Sequence, residues 1–171
     1  SLSIENGLSQ STVYDIIQDN KGFLWVATAD GLNKYDGYTF TVYRHENFNH
    51  HSIQSDFIRS LFLDNKGQLW VGTNAGVALY DNKKDIIYPY PYRAQINNML
   101  QVSDSLLYLA TSDGLLSFNT VKNTYKVLAP KVTYKQFPKF VDTNNNVQER
   151  EQITKQYKVG QNILLSAKYT F

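Results

Sequence analysis

The feature that most restricts this chain is a unit that occurs in it more than once. Val13 to Asp36, VYDIIQDNKGFLWVATADGLNKYD, lies over Ile58 to Asp81, IRSLFLDNKGQLWVGTNAGVALYD, at an offset of 45 with no gap and 11 of 24 positions identical. Asp19, Asn20, Lys21 and Gly22 recur as Asp64, Asn65, Lys66 and Gly67. Trp25 recurs as Trp70, Thr28 as Thr73, Gly31 as Gly76, and Tyr35-Asp36 as Tyr80-Asp81. A third copy, Ile96 to Asn119, follows at an offset of 38; Tyr108 takes the Trp position, and Thr111, Gly114 and Phe118 keep theirs. A fainter fourth, Ile153 to Ala167, fits the third at an offset of 57 and places Leu165 at the Trp position.

Each unit reads as four short strands. Val13 to Gln18 is an apolar run suited to an inner strand buried on both sides. Asp-Asn-Lys-Gly is hairpin chemistry, because Asn and Gly accept the positive φ that tight turns require. FLWVAT is a second strand, Asp30-Gly31 a second turn and LNKYD a third strand. YTFTVYR alternates Tyr38, Phe40 and Val42 with Thr39, Thr41 and Tyr43, as a solvated outer strand does. Four antiparallel strands in about 40 residues is the size of a β-propeller blade. The expected fold is all-β: three blades plus part of a fourth, an incomplete propeller. The expected boundaries are 1–51 for blade 1 with its outgoing loop, 52–95 for blade 2, 96–130 for blade 3, and 131–171 for an irregular connection and partial blade 4. Propellers close with four or more blades. The chain is therefore expected to be a fragment of a larger protein, or to complete itself by pairing with another copy.

Composition removes several function classes. With 42% apolar and 19% charged residues the chain is globular, and at a net charge of +2, with no Lys/Arg stripe, it offers nucleic acid nothing. No apolar run is long enough to span a membrane. The absence of Cys excludes disulfides, Cys-zinc sites and a Cys nucleophile. No Ser-His-Asp arrangement or Gly-x-Ser-x-Gly turn is present, and Glu149 and Glu151 flank Arg150 in a polar stretch, so no catalytic constellation is expected. His45, His50 and His51 lie in an Asn-rich loop without the rigid spacing that metal binding needs, and no metal or cofactor is expected.

Residues that recur in every blade are explained most simply by packing and turns. Trp25, Trp70 and Tyr108 are expected between neighbouring blades; Gly22, Gly67, Gly31, Gly76 and Gly114 are expected to form turns. Function is then sought where the units differ. The second residue of each inner strand varies as Tyr14, Arg59 and Asn97, near the mouth of the central channel. The loops entering these strands, His45 to Phe57 and Tyr88 to Gln95, also differ. In the second, YPYPYR holds Tyr90, Tyr92 and Arg93 on a Pro-stiffened backbone that suits a sugar ring or a peptide; the plainer reading is an outer strand with a Pro-protected edge. The candidate ligand residues are thus Tyr14, Arg59, Asn97, Tyr90, Tyr92 and Arg93.

GLSQSTVYDIIQDNKGFLWVATADGLNKYDGYTFTVYRH (Gly7 to His45) and SIQSDFIRSLFLDNKGQLWVGTNAGVALYD (Ser52 to Asp81) resemble successive repeats of the two-component regulator propeller family. The shared pattern is QD-x-x-G-x-L-W-x-G-T-x-x-G-L-x-x-Y-D. Departures are Ala27 for Gly, Leu63 for Gln and Val77 for Leu, and in the third unit Ser105 for the turn Gly and Tyr108 for Trp. The resemblance implies the extracytoplasmic sensor region of a hybrid two-component system that signals to a histidine kinase. The implied ligand is an oligosaccharide, the implied assembly a homodimer, and the implied location the periplasm; a start at Ser1 agrees with a mature periplasmic N-terminus. The alternative is a propeller scaffold for protein–protein assembly.

Overall fold

A computed structural model describes residues 3–130 together with the strands 155–159 and 163–167. It contains three four-stranded antiparallel sheets, each built from consecutive strands in sequence order. The first comprises β1 (Val13–Gln18), β2 (Leu24–Thr28), β3 (Gly31–Tyr35) and β4 (Phe40–Tyr43). The second comprises β5 (Ile58–Leu63), β6 (Leu69–Thr73), β7 (Gly76–Asp81) and β8 (Ile86–Pro91). The third comprises β9 (Ile96–Ser103), β10 (Leu106–Thr111), β11 (Gly114–Asn119) and β12 (Thr124–Pro130). A further hairpin pairs β13 (Lys155–Val159) with β14 (Ile163–Ala167), setting Leu165 opposite Tyr157. The connection expected from Lys131 onward, with the Glu149-Arg150-Glu151 stretch, lies outside the described residues.

The repeated residues account for how one sheet meets the next. Trp25 is buried against Tyr80 of the second sheet (ring centroids 4.5 Å apart) and stacks on Tyr43 of its own. Trp70 repeats the arrangement one seam later, against Phe118 of the third sheet and Tyr90 of its own. Each indole N–H donates to the turn Asp six residues earlier: Trp25 Nε1 to Asp19 Oδ2 at 2.9 Å, Trp70 Nε1 to Asp64 Oδ2 at 3.1 Å. The other carboxylate oxygen of each Asp accepts two backbone N–H groups of its own turn. One residue thus closes the hairpin and fixes the rotamer of the seam aromatic. In the third unit Val102 replaces that Asp and Tyr108 replaces the Trp, so acceptor and donor are lost together. Tyr108 is half-buried, and Leu100, directly opposite it on β9, is exposed.

The recurring Thr has an equally local cause. The hydroxyls of Thr28, Thr73 and Thr111 each donate to the carbonyl three residues on and accept the N–H two residues on, which ties down the turn between second and third strands. Gly22, Gly67, Gly31, Gly76 and Gly114 all have positive φ. At Gly76 the neighbouring chain adds its own demand: a methyl group there would overlap the Tyr90 carbonyl and leave no room for β8.

Two expectations need correction. The inner strand β1 is not buried on both sides: Val13 is 44% and Ile16 57% exposed, whereas Ile58 and Leu61 at the same repeat positions in β5 are buried. Apolar patterning marks a surface that some blade face must cover, and β1 carries the half that in β5 is covered by the first sheet. Part of that face is roofed by the segment before β1. Ser9 N–H donates to Asn33 Oδ1 at 2.9 Å, and the Ser9 and Thr28 hydroxyls bond at 2.8 Å, so the fully buried Asn33 amide is satisfied. The outer strand of the first sheet also starts later than the alternation suggests. Tyr38 lies in the turn, 90% exposed, because Asp36 accepts the N–H groups of Tyr38 and Thr39 and delays pairing until Phe40.

Candidate functional site

The start of each inner strand, the turns joining second to third strands and the loops joining one sheet to the next all lie at one face of the blades. Backbone bonds stitch these parts together: Asn74 N–H to Phe57 O at 3.1 Å, Tyr92 N–H to Ala75 O at 2.9 Å, and Ser112 N–H to Gln95 O at 3.1 Å. The variable residues are therefore carried on a rigid frame.

Arg59 leaves β5 at this face. Its guanidinium lies over the Phe57 ring, 4.6 Å from the centroid, and its Nε donates to Asn74 Oδ1. Tyr14 meets the same Phe57 ring from the first sheet, at 4.8 Å between centroids. Tyr14 and Arg59 thus converge on one aromatic that the sequence comparison left unremarked. Asn97 is exposed at the start of β9.

YPYPYR divides between the two readings given to it. Tyr88 to Pro91 belong to β8, the outer strand of the second sheet. Tyr90 pairs with Val77 and turns its ring into the seam, 5.9 Å from Trp70 and 5.2 Å from Phe118, so it is placed for packing and not for ligand. Burial pushes its phenol above the ordinary tyrosine range. Tyr92 and Arg93 lie beyond the strand. Tyr92 packs tilted against Tyr125, ring centroids 4.6 Å apart, and is half-buried; Arg93 is exposed.

Tyr92 and Arg93 join Gln54, Asn74, Ala75 and Pro91 around a shallow depression of about 530 Å³. Asn74 lines the depression and accepts from Arg59, which itself lies outside the lining. Gln54 Nε2 donates to Val77 O at 2.9 Å, which fixes the amide, and leaves Oε1 buried without a donor. Asn74 was discoverable by the rule that singled out Arg59, since its repeat position varies as Ala29, Asn74 and Ser112. Gln54 carries no such signal, because its role depends on the Val77 carbonyl.

Charge divides this face. On the first sheet Arg44 grips Asp30 with two bonds, 2.9 Å and 3.3 Å, and Asp30 is held below the usual carboxylate range by that pairing. Asp56 is engaged by the His45 N–H. His45 Nδ1 contacts the Ile53 carbonyl and His51 stands edge-on to Tyr88. Among the described residues no three His, Cys, Asp or Glu side chains group closely enough to hold a metal ion.

Residues 7–30 and 52–75 match the two-component regulator propeller repeat, so blades 1 and 2 each carry one. Over 39 residues the chain is 67% identical to Histidine kinase P4 of Formosa agariphila, a stretch that is 23% of this chain and 3% of that protein. Its fold resembles two solved chains from B. thetaiotaomicron, each described as the extracellular domain of a hybrid two component system. One gives a TM-score of 0.62 at 21% identity, over 82% of this chain and 20% of that one. The other gives 0.54 at 19% identity, over 98% of this chain and 32% of the other. The chain thus spans a third or less of each, and the likeness establishes a propeller-type fold.

Proposed function

We propose that this chain is a ligand-sensing segment of the extracytoplasmic propeller of a hybrid two-component system, and that its loop face recognises an oligosaccharide. The observation that carries the reading is a separation of roles. Side chains that recur are spent on seams and turns, while Gln54, Asn74, Tyr92 and Arg93, which do not recur, gather at one depression on the loop face of the second blade, with Arg59 bonded to Asn74 beside it. An aromatic ring beside amides and a guanidinium group suits a hydroxyl-rich ligand with one apolar face. The repeat match, and the histidine kinase that is 67% identical over 39 residues, support the link to phosphorelay signalling, and the likeness to extracellular domains supports a location outside the cytoplasm.

A ligand seated here would favour the blade arrangement that presents the depression over others, and only such differential affinity can be passed on as a signal. The test is a thermal-shift and calorimetric screen of the chain against oligosaccharides. Stabilisation by a glycan, lost in Tyr92→Ala, supports the reading; a screen in which no glycan raises the melting temperature removes it. Assembly with a protein partner is the second reading, favoured by the exposed Val13 and Ile16 and by a fully exposed Phe48 held at φ 66° on a loop tip. Stabilisation by a protein alone would select it.

A further inference from the structure

We propose that the polar cluster between the first and second blades is a key that selects which blade stacks on which, so that similar repeats do not pair out of order. The need for one follows from the repeat itself. Blades 1 and 2 share 11 of 24 positions in their aligned units, and the Trp contact is made alike at both seams, Trp25 on Tyr80 and Trp70 on Phe118. A contact common to every seam cannot tell one blade from another, and chains of similar repeats misassemble through such contacts.

The seams differ at three positions of shared geometry. Opposite the Trp on the third strand stand Lys34 in blade 1 and Leu79 in blade 2. The ring that the Trp meets is Tyr80 at the first seam and Phe118 at the second. The residue before the fourth strand, at positive φ in both blades, is Asp85 in blade 2 and Asn123 in blade 3. At the first seam the three groups join: Lys34 Nζ donates to the Tyr80 hydroxyl at 2.9 Å, and that hydroxyl donates to Asp85 Oδ1 at 2.6 Å. Tyr43 of blade 1 donates to the same oxygen at 2.6 Å, so blade 1 supplies two donors and blade 2 their acceptors. At the second seam Leu79 and Phe118 are hydrocarbon and Asn123 is uncharged. That seam packs all the same, with Phe118 lying 5.9 Å from Trp70 and 5.2 Å from Tyr90. A seam therefore does not need the polar cluster in order to pack, and what the cluster adds is discrimination. Stacked on blade 3, blade 1 would set the Lys34 ammonium, 19% exposed and held over Phe23 and Trp25, against a ring with no hydroxyl and an amide with no charge. Stacked on blade 2 of a second copy, Asp85 would meet Leu79 in place of a cation. Polar groups left without partners in this way penalise the wrong pairing, while the right pairing gains little net stability from them.

The test is refolding of the whole chain from urea over a range of protein concentrations, with size-exclusion chromatography reading the fraction of species that the never-unfolded protein lacks. Three variants are compared with the parent. Lys34→Leu/Tyr80→Phe/Asp85→Asn gives the first seam the residues of the second. Leu79→Lys/Phe118→Tyr/Asn123→Asp does the reverse, and a variant with all six changes moves the key to the other seam. The first two make the seams alike and should raise the misassembled fraction about tenfold, the discrimination that one hydrogen bond to a charged group provides. The sixfold variant should return to the parent's level, because its seams differ again. A fraction that stays at the parent's level in both alike-seam variants overturns the proposal. So does one that follows each variant's urea midpoint instead of the likeness of its seams, which would make the cluster a source of stability alone. Failure of the first variant to fold also overturns it, since the hydrocarbon seam is held to pack without the cluster. Should a variant carrying Leu79→Lys fail to fold, the first variant decides alone, by its rise or its lack of one.

Discussion

Gly72→Ala tests the packing of the seam between the second and third blades at one atom. A methyl group built on Gly72 overlaps Ser60 Oγ, lies 2.8 Å from the Ile96 carbonyl and 3.1 Å from Ile96 Cβ. The overlap falls on a bond that crosses the seam, since Ser60 Oγ donates to Ile96 O at 2.9 Å. Overpacking of this kind typically costs about 1–3 kcal/mol. With an m-value of roughly 1–3 kcal/mol/M in urea, a loss near 2 kcal/mol lowers the midpoint by about 1 M. The chain supplies its own probe. Trp25 and Trp70 are its two Trp residues and each marks one seam, so in a Trp25→Phe background fluorescence reports the second seam alone. Adding Ser60→Gly removes the worst contact while the Ile96 carbonyl stays, so the double variant should lose less than the sum of the two single changes. Alanine already stands at the equivalent position of the first blade as Ala27, where Asp15 instead spans the seam to the Leu61 N–H. If Gly72→Ala unfolds within 0.2 M urea of the parent (roughly 0.5 kcal/mol at these slopes), the seam is not packed as described.

Other consequences follow from the same contacts. Asp64→Ala removes the acceptor for the Lys66 and Gln68 N–H groups and for the Trp70 indole, and should cost about 2 kcal/mol, with Trp70 emission shifting to longer wavelength on exposure. Between the first two blades, Tyr43 and Tyr80 both donate to Asp85 Oδ1, and those two bonds hold the Asp85 carboxyl below its ordinary range. A lowered folded-state pKa stabilises above the unfolded value of about 3.9 and is lost as pH falls through the folded value. Asp85→Asn should therefore flatten the acid end of the stability profile, below about pH 4, and a profile of unchanged slope there would discount the contact. Burial, then Asp85, pushes both phenols above the usual tyrosine range, so alkaline difference absorbance should show fewer than the chain's 13 Tyr ionising before it unfolds.

How far the sequence could be read depended on what each residue answers to. Trp25, Trp70, Asp19, Asp64 and the Thr of each turn answer to contacts within their own repeat or with the next, and identical contacts leave identical letters. Exposure of β1 was not legible, because Val13 and Ile16 have the same apolar character as Ile58 and Leu61; the difference lies in whether a sheet covers them. Tyr90 and Tyr92 look equivalent two residues apart. One is placed opposite Val77 by strand pairing and faces Trp70, while the other lies past the end of β8 and faces the depression. Phe57 and Gln54 were invisible because each gains its role from groups distant in sequence: the Tyr14 ring and the Arg59 guanidinium for one, the Val77 carbonyl for the other.

Shared residues hold the blades, while unshared residues at the loop face of blade 2 meet the ligand. Hydrogen–deuterium exchange of the chain with and without a stabilising oligosaccharide separates the two sets of residues. Slowed exchange is expected around Gln54 to Arg59, Asn74 to Gly76 and Tyr92 to Gln95, with the turns at Asp19 to Gly22 and Asp64 to Gly67 unchanged. Protection confined to those turns, on the opposite face of the blades, would contradict it.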